Sequence, residues 1–190
     1  MRNIYLNIFK INKKNIFKTV NFLKKNHLVA VPTETVYGLA GNAYSNLSVK
    51  KIYKIKKRPK KNPLIIHYYS LDQIKEDAVL NKDFFKLYKK FCPGPITFIL
   101  KKKKTSKVSN FATAKLKTIA VRIPKNKVVR QILKLINFPL AMPSANKSTR
   151  VSSVTAQNVV SEFGKTIGVI LDGGRSKIGI ESTVIDLTLG

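Results

Sequence analysis

Short apolar runs alternate with helically spaced apolar residues along most of the chain. Residues 4–11 alternate between apolar and polar positions, which is typical of a strand. Ile16, Val20 and Leu23 share one face of a helix predicted over residues 14–26. Further strands are predicted over residues 28–31, 64–67, 96–100, 119–123, 140–142, 167–171 and 182–187.

Turn and cap signals place the remaining helices. The pair Arg58-Pro59 ends a helix predicted over residues 47–57, because the residue before proline disfavours helical angles. Ser70 and Gln73 form a capping-box pattern for a third helix, and Asn81 is suited to begin a fourth. Two more helices are predicted over residues 128–136 and 155–163.

Strands and helices interleave throughout. The chain is therefore predicted to form one mixed α/β domain over residues 1–190, a twisted mixed sheet flanked by helices. Residues 101–104 and the Ser/Thr-rich segment after them are predicted to form an exposed loop. Because that link between strands lacks a helix, a purely parallel sheet is not expected.

Composition limits the class of protein. The chain has 190 residues, 44% of them hydrophobic, and no apolar run of about eighteen residues that would predict a membrane span. Its single cysteine, Cys92, favours a reducing compartment, so a cytoplasmic location is expected. The first acidic residue is Glu34, which raises the alternative of a basic targeting leader. The periodicity of residues 4–23 favours a folded segment instead.

The formal net charge is +28, from 31 lysines and six arginines against nine acidic residues. Two explanations stay open. Clustered cations bind nucleic-acid phosphates, and an A/T-rich genome would enrich lysine at solvated positions. The six arginines are therefore the more informative cations.

Several polar groups lie beside predicted strands. The spacing of Thr33-Glu34-Thr35 after strand 28–31 is best explained as a helix cap. Arg122 lies inside an apolar strand and needs an anionic partner; a ligand and a structural carboxylate are both open, and the scarcity of acidic residues favours a ligand. His67 ends a strand, where a packed histidine is commoner than a ligand. Two histidines and one cysteine argue against a zinc site.

Cations and neutral polar groups form a second set of candidates. Lys56-Lys57-Arg58-Pro59 offers cations suited to phosphate, and Ser144-Ala145-Asn146 offers a hydroxyl and an amide suited to a small ligand. Neither common glycine-rich phosphate loop is present, so Lys56, Arg58 and Asn62 are the candidates for holding a nucleotide. The alternative for these three residues is an ordinary solvated helix end.

Six motifs in a fixed order resemble the threonylcarbamoyl-AMP synthase family, also called YrdC/Sua5. They are Val31-Pro32-Thr33-Glu34-Thr35-Val36-Tyr37-Gly38-Leu39, Lys56-Lys57-Arg58-Pro59 with Asn62-Pro63-Leu64 and His67, Pro93-Gly94-Pro95-Ile96-Thr97, Ala120-Val121-Arg122-Ile123-Pro124, Pro143-Ser144-Ala145-Asn146-Lys147-Ser148 and Glu181-Ser182-Thr183-Val184-Ile185-Asp186. The resemblance covers nearly the whole chain and implies a single YrdC-like domain with a concave basic cleft.

The resemblance implies a nucleotidyltransferase. Such an enzyme joins L-threonine, bicarbonate and ATP into L-threonylcarbamoyladenylate and releases pyrophosphate, with Mg²⁺ accompanying ATP and no metal site assigned to the protein. A partner transferase then uses the product for N6-threonylcarbamoyladenosine modification of tRNA, and the basic surface could itself bind tRNA. By the same resemblance, the ATP-binding residues are Lys56, Arg58, Asn62, Thr118 and Asn146. The threonine-binding residues are Thr35, His67, Arg122, Ser144 and Ser182, with Arg122 pairing with the amino acid's carboxylate.

The chain departs from the family pattern at some positions, and two other classes of protein are alternatives. The family usually continues beyond the position of Gly190 with an arginine near ATP, and it often has Gly at Thr149 and Pro at Ser153. A related domain in hydrogenase maturation proteins handles carbamoyl-adenylate, but within much longer chains. The alternative from another class is a non-catalytic RNA-binding module of the same fold.

Overall fold

The computed structural model describes residues 7–188. The strands in this range are β1 (Ile8–Lys10), β2 (Val29–Val31), β3 (Gly38–Asn42), β4 (Ile65–His67), β5 (Ala78–Val79), β6 (Ile96–Lys102), β7 (Thr118–Arg122), β8 (Leu140–Ala141), β9 (Ile170–Asp172) and β10 (Thr183–Asp186). The α-helices are α1 (Lys13–Lys24), α2 (Asn46–Lys56), α3 (Leu71–Asp77), α4 (Lys82–Phe91), α5 (Lys127–Lys134) and α6 (Ala156–Phe163). None of these helices is long and apolar enough to cross a membrane.

The strands form one mixed sheet. Its order is β1-β9-β2-β3-β8-β4-β7-β6-β10, and β5 pairs with β6 beside this path. β1, β9 and β2 are parallel to one another, as are β4 with β7 and β6 with β10, whereas the remaining pairs are antiparallel. The predicted mixed α/β architecture is therefore confirmed.

Polar side chains begin the helices, and the caps predicted at Ser70 and Asn81 are among them. Asn81 caps α4, and Thr155 forms a capping box with Asn158 at α6. Ser70 caps α3 by accepting a hydrogen bond from the N–H of Gln73. The Gln73 side chain accepts instead from the N–H of Tyr69, so the reciprocal half of that capping box is displaced by one residue.

Helices cover the two sheet faces unequally. On one face, α2, α3, α4 and α6 bury a core with alternate sheet residues such as Leu39, Ile66 and Val121. On the other face, α1 and α5 cover residues of β2, β3, β8 and β9. Leu140 belongs to this second core and pairs with His67, so His67 lies on the same face, at the margin of the helical cover.

Beyond this margin the second sheet face carries polar residues and is only partly covered. The register His67↔Arg122 and the neighbouring pair Phe98↔Val121 place Arg122 between His67 and Thr97 on the same face. Ala120 on this face is only half-buried, and Val184, which pairs with Thr97, is exposed. The fold thus leaves a partly open, polar half of one sheet face.

Two sequence predictions about connecting segments are wrong. Thr33-Glu34-Thr35 does not cap a helix, because β3 follows and pairs antiparallel with β2. Lys101 and Lys102 belong to the end of β6 rather than to a loop, because they pair with β5 and β7. The predicted strand over residues 4–11 is confirmed as β1 within residues 8–10, and residues 4–6 lie outside the described range.

A close approach at Gly38 brings two candidate segments together. Gly38 forms an isolated antiparallel bridge with Ser144, and the N–H of Ala145 donates to the Tyr37 carbonyl. A Cβ at this position would collide with Cγ and Sδ of Met142. Glycine is therefore required for the segment after β8 to lie against the start of β3.

Candidate functional site

Arg122 lies in the partly open, polar half of this sheet face. Only 4% of it is exposed. Its Nη2 donates to Oε1 of Glu34 at 2.6 Å, and both Nη atoms donate to Oγ1 of Thr35 at 3.1 Å. The anionic partner of Arg122 in this structure is therefore Glu34, the structural carboxylate that the sequence left open as one of two alternatives.

The turn before β3 presents Glu34 and Thr35 to Arg122. Thr33 Oγ1 donates to the Val36 carbonyl at 2.6 Å and accepts the N–H groups of Thr35 and Val36. Because the Thr33 hydroxyl proton is used in that bond, the Thr35 hydroxyl must donate to Thr33 Oγ1. The lone pairs of Thr35 Oγ1 then face Arg122. Thr35 therefore orients the guanidinium through an already satisfied hydroxyl.

Glu34 holds its charge despite burial. Burial acts to raise the pKa of Glu34, but the charge and hydrogen bond of Arg122 outweigh it and hold the pKa below its ordinary value. The second carboxylate oxygen accepts the N–H of Asn126, which caps α5, at 3.0 Å. One carboxylate thus connects the turn, Arg122 and the start of α5.

His67 and Ser182 complete this group. Burial and the neighbouring Arg122 charge hold the pKa of His67 well below its ordinary value, so its imidazole is neutral at pH 7. Ser182 Oγ lies 2.7 Å from Thr97 Oγ1, beside the Arg122 row of the sheet. The structure therefore brings Thr35, His67, Arg122 and Ser182 to one end of the open face.

Lys56 is hydrogen-bonded to the segment that contains Ser144 and Asn146. Lys56 is 1% exposed, and its amine donates to the carbonyls of both residues. Its own carbonyl accepts the N–H of Ser148 at 2.9 Å. The last turn of α2 is therefore joined to the 144–148 loop, and the predicted phosphate-binding amine is held by backbone carbonyls in this structure.

Burial makes the Lys56 amine a weaker base. Desolvation, with the nearby Arg58 charge, lowers the pKa of Lys56 from 10.5 to about 8. A neutral amine keeps two N–H donors, which match the two carbonyl acceptors. The amine can thus hold the loop in either protonation state.

Arg58, Asn62 and Thr118 lie away from Arg122. Arg58 is half-buried and donates to the carbonyls of Asn62 and Pro63, while Asn62 is exposed. The parallel register Ile65↔Ala120 places Thr118 level with Pro63, at the other end of β7 from Arg122. These ATP-binding candidates therefore occupy the amino ends of β4 and β7, and Arg122 and His67 the carboxyl ends.

The 144–150 loop holds two polar atoms without partners among the described residues. Asn146 Nδ2 donates to the carbonyls of Lys147 and Arg150, whereas its Oδ1 and the Ser148 Oγ are buried and unpaired. Such atoms can accept or donate to a bound molecule. Thr149 has a φ of 72°, which is strained for a β-branched residue and accounts for glycine being suited to that position.

The sequence interpretation overlooked Glu34, Thr33 and Thr97 as site residues. Glu34 carried a usable signal, because it is the first acidic residue of a very basic chain and lies between two threonines. Within residues 7–188, no group of three or more His, Cys, Asp or Glu residues could hold a metal ion.

Fold and side chains together define a mixed α/β domain with a buried arginine on the polar half of one sheet face. The Sua5/YciO/YrdC family model, described as "Telomere recombination", matches residues 21–190. A putative threonylcarbamoyl-AMP synthase from Methanocaldococcus jannaschii is 32% identical over 191 residues, which cover 98% of this chain and 89% of that protein. This chain belongs to the Sua5/YciO/YrdC family.

Two further relatives add detail. The threonylcarbamoyl-AMP synthase of Pyrococcus abyssi is 42% identical over 180 residues, 94% of this chain and 52% of that protein. The crystal structure of P. abyssi Sua5 complexed with L-threonine matches with a TM-score of 0.91 at 40% identity, over 95% of this chain and 54% of that chain. This chain spans about half the length of that relative, and the YrdC-like fold prediction is confirmed.

The role of Lys56 predicts a specific pH dependence. Because its pKa is lower in the folded chain than in the unfolded chain, its contribution to stability is complete only above the unfolded value of 10.5 and is lost as the pH falls from there through 8. The free energy of unfolding of the native chain, minus that of Lys56→Met, should rise by about 1.5 kcal/mol from pH 8 to 9.5. Urea titrations measure this difference. Lys54→Met, an exposed change on the same helix, should give no such rise, and parallel curves for Lys56→Met would contradict the assignment.

Proposed function

We propose that this chain is a threonylcarbamoyl-AMP synthase, a nucleotidyltransferase that forms L-threonylcarbamoyladenylate and pyrophosphate from L-threonine, bicarbonate and ATP. The observation that carries the proposal is its similarity over 94–95% of its length to P. abyssi threonylcarbamoyl-AMP synthase, whose structure contains L-threonine. The product would serve N6-threonylcarbamoyladenosine modification of tRNA through a partner transferase, in the cytoplasm.

The group around Arg122 suits an amino acid. Its guanidinium would bind the carboxylate of threonine, and the neutral His67 would act as a hydrogen-bonding group rather than as a charge. Thr35 would act mainly by orienting Arg122, because its hydroxyl is already satisfied. Ser182 and Ser144 supply further hydroxyls at two sides of the pocket.

The amino ends of β4 and β7 suit ATP. Arg58 has N–H groups left over from the carbonyls of Asn62 and Pro63, and the half-buried Thr118 is level with Pro63 on the neighbouring strand. Asn146 offers its unpaired Oδ1 to the nucleotide. Lys56 would contribute by positioning the Asn146 loop more than by touching phosphate. Nucleotide and amino acid would then lie along the same strands.

The chemistry needs alignment rather than a covalent nucleophile. The threonine amine combines with bicarbonate to give a carbamate and water, and a carbamate oxygen then attacks the α-phosphate of ATP while pyrophosphate leaves. Cations and amide groups that fix the phosphates and the carbamate lower the barrier to this displacement. With no carboxylate cluster among the described residues, Mg²⁺ would be held by the ATP phosphates and water, where it neutralises phosphate charge.

Pyrophosphate release tests the proposal directly. The purified chain should release pyrophosphate from ATP only when threonine and bicarbonate are both present, because the carbamate is the nucleophile. Each component is omitted in turn, with enzyme-free mixtures as the control. Pyrophosphate release that does not depend on threonine, or no pyrophosphate release in any mixture, would refute the proposal that this chain alone is a synthase.

Two arginine variants separate the substrates. Arg58→Ala should raise the KM for ATP by about tenfold or more, and Arg122→Ala should do the same for threonine, because each loses a charge-assisted hydrogen bond to one substrate. Steady-state pyrophosphate assays give both constants. Lys57→Ala, an exposed lysine beside Arg58, is the matched control. Equal effects on both substrates in each variant would contradict this division.

We also propose that tRNA binds this chain directly, on a lysine-lined surface beside the ATP candidates. Grooves of about 750 and 1010 Å³ adjoin at Asn110 and Lys115, and the larger also contacts Thr118. Eleven of the residues that line them are lysines and none is acidic. This charge complements a phosphate backbone, and the Phe111 ring lies in the smaller groove with the Lys50 ammonium 4.5 Å from its centroid.

Charge-matched quadruple variants test whether this surface or the overall charge binds tRNA. The groove variant changes Lys60, Lys61, Lys104 and Lys117 to Gln, and the control variant changes Lys14, Lys25, Lys82 and Lys89, all exposed. Fluorescence anisotropy with a transcribed tRNA should show about tenfold weaker binding, and a salt slope smaller by about three, for the groove variant alone. Equal losses in both variants would indicate non-specific charge only.

A further inference from the structure

Glu34 occupies only half of the edge of Arg122 that best binds a carboxylate. Nε and Nη2 form the lateral edge of a guanidinium, and their parallel N–H groups match the two oxygens of one carboxylate. Here Nη2 donates to Glu34 at 2.6 Å, while Nε is buried without a partner. The lateral edge is thus engaged but not satisfied.

The second oxygen of Glu34 is held elsewhere. It accepts the N–H of Asn126 at 3.0 Å, so the carboxylate cannot turn to meet Nε as well. The terminal edge of Arg122 is not free either, because both Nη atoms donate to Thr35 Oγ1. A second carboxylate can therefore bind Arg122 in a bidentate manner only on the lateral edge, where Glu34 now lies.

We propose that Glu34 is an internal substitute for the substrate carboxylate, which threonine displaces from Arg122 on binding. This inference rests on the proposed function for its ligand. In the free chain Glu34 supplies the counter-charge that a buried guanidinium requires. In the bound chain the threonine carboxylate takes both Nε and Nη2, and Glu34 keeps its bond to the N–H of Asn126 at the favourable amino end of α5.

Displacement gives the pocket selectivity for carboxylates. A ligand with no carboxylate leaves Glu34 on Arg122 and gains nothing there, so it cannot open the lateral edge. The affinity for threonine is lower than Arg122 alone would give, because binding includes the loss of the Glu34 ion pair. Glu34 is therefore a specificity-determining residue whose removal should strengthen threonine binding, whereas a purely structural residue would weaken it.

Threonine affinity in Glu34 variants tests this competition. Calorimetry without ATP should give about tenfold tighter threonine binding for Glu34→Gln than for the native chain, because the counter-charge is removed. Glu34→Asp keeps the net charge but shortens the reach to Arg122, and it should also bind more tightly. Threoninamide, which lacks the carboxylate, should bind weakly to all three. Unchanged or weaker threonine binding in both folded variants would overturn the proposal.

A change at Asn126 should act in the opposite direction and leaves Glu34 in place. Asn126→Pro removes the N–H that holds the second oxygen of Glu34, and the φ of −59° at this position accepts proline. Glu34 is then free to take both lateral donors of Arg122, so threonine binding should weaken about fivefold. Asn126→Ala loses the same α5 cap but keeps the N–H, and its threonine affinity should match that of the native chain. Equal affinities for the Pro and Ala variants would contradict the proposal.

These measurements are independent of turnover. A chain that binds threonine in the expected order of variants but releases no pyrophosphate refutes the synthase and leaves the role of Glu34 standing. Normal pyrophosphate release with the same threonine affinity in every variant refutes the role of Glu34 and leaves the synthase standing.

Discussion

Burial of positive charge is the constraint on which the site depends. Arg122 and Lys56 are almost entirely removed from solvent, although the chain carries only nine acidic residues. An uncompensated cation in a protein interior costs several kcal/mol, so each needs a partner within reach. For Arg122 that partner is Glu34, and the ion pair fixes the turn before β3 and the start of α5 against the sheet.

Lys56 is compensated in another way. Backbone carbonyls of Ser144 and Asn146 surround its amine, and the lowered pKa reflects how incompletely dipoles replace water. The same burial that keeps this amine from bulk solvent makes it a firm link between α2 and the 144–148 loop. Gly38 joins that loop to the turn that carries Glu34, so the two buried cations support one continuous structure.

Local signals predicted most elements, because caps and apolar periodicity act over a few residues. Asn81 and Thr155 begin helices as expected, and Arg122 lies in the strand that its apolar neighbours indicated. The helix cap predicted at Thr33 is wrong because a hydroxyl that accepts nearby N–H groups is common to helix caps and tight turns. Only the pairing of β3 with β2 and β8 decides between them, and that pairing is not local.

The candidate site was less predictable from the chain than the fold. Its residue types were identified, but Glu34 and Arg122 are 88 positions apart, and no local pattern shows that they meet. The burial of Lys56 likewise depends on a loop 90 positions away. The resemblance to the family predicts which residues form the site. The distances between these residues are known only from the folded chain.

The pairing of Ser182 with Thr97 also determines when this side of the site can form. Their hydroxyls meet only because β10 adds in parallel to the edge of β6, 85 positions later in the chain. A ribosome delivers residues in order, so Arg122, His67 and both cores can be in place while this side is still missing. This side of the site therefore forms only after β4, β6 and β7 have been synthesised, so most of the sheet precedes the complete site.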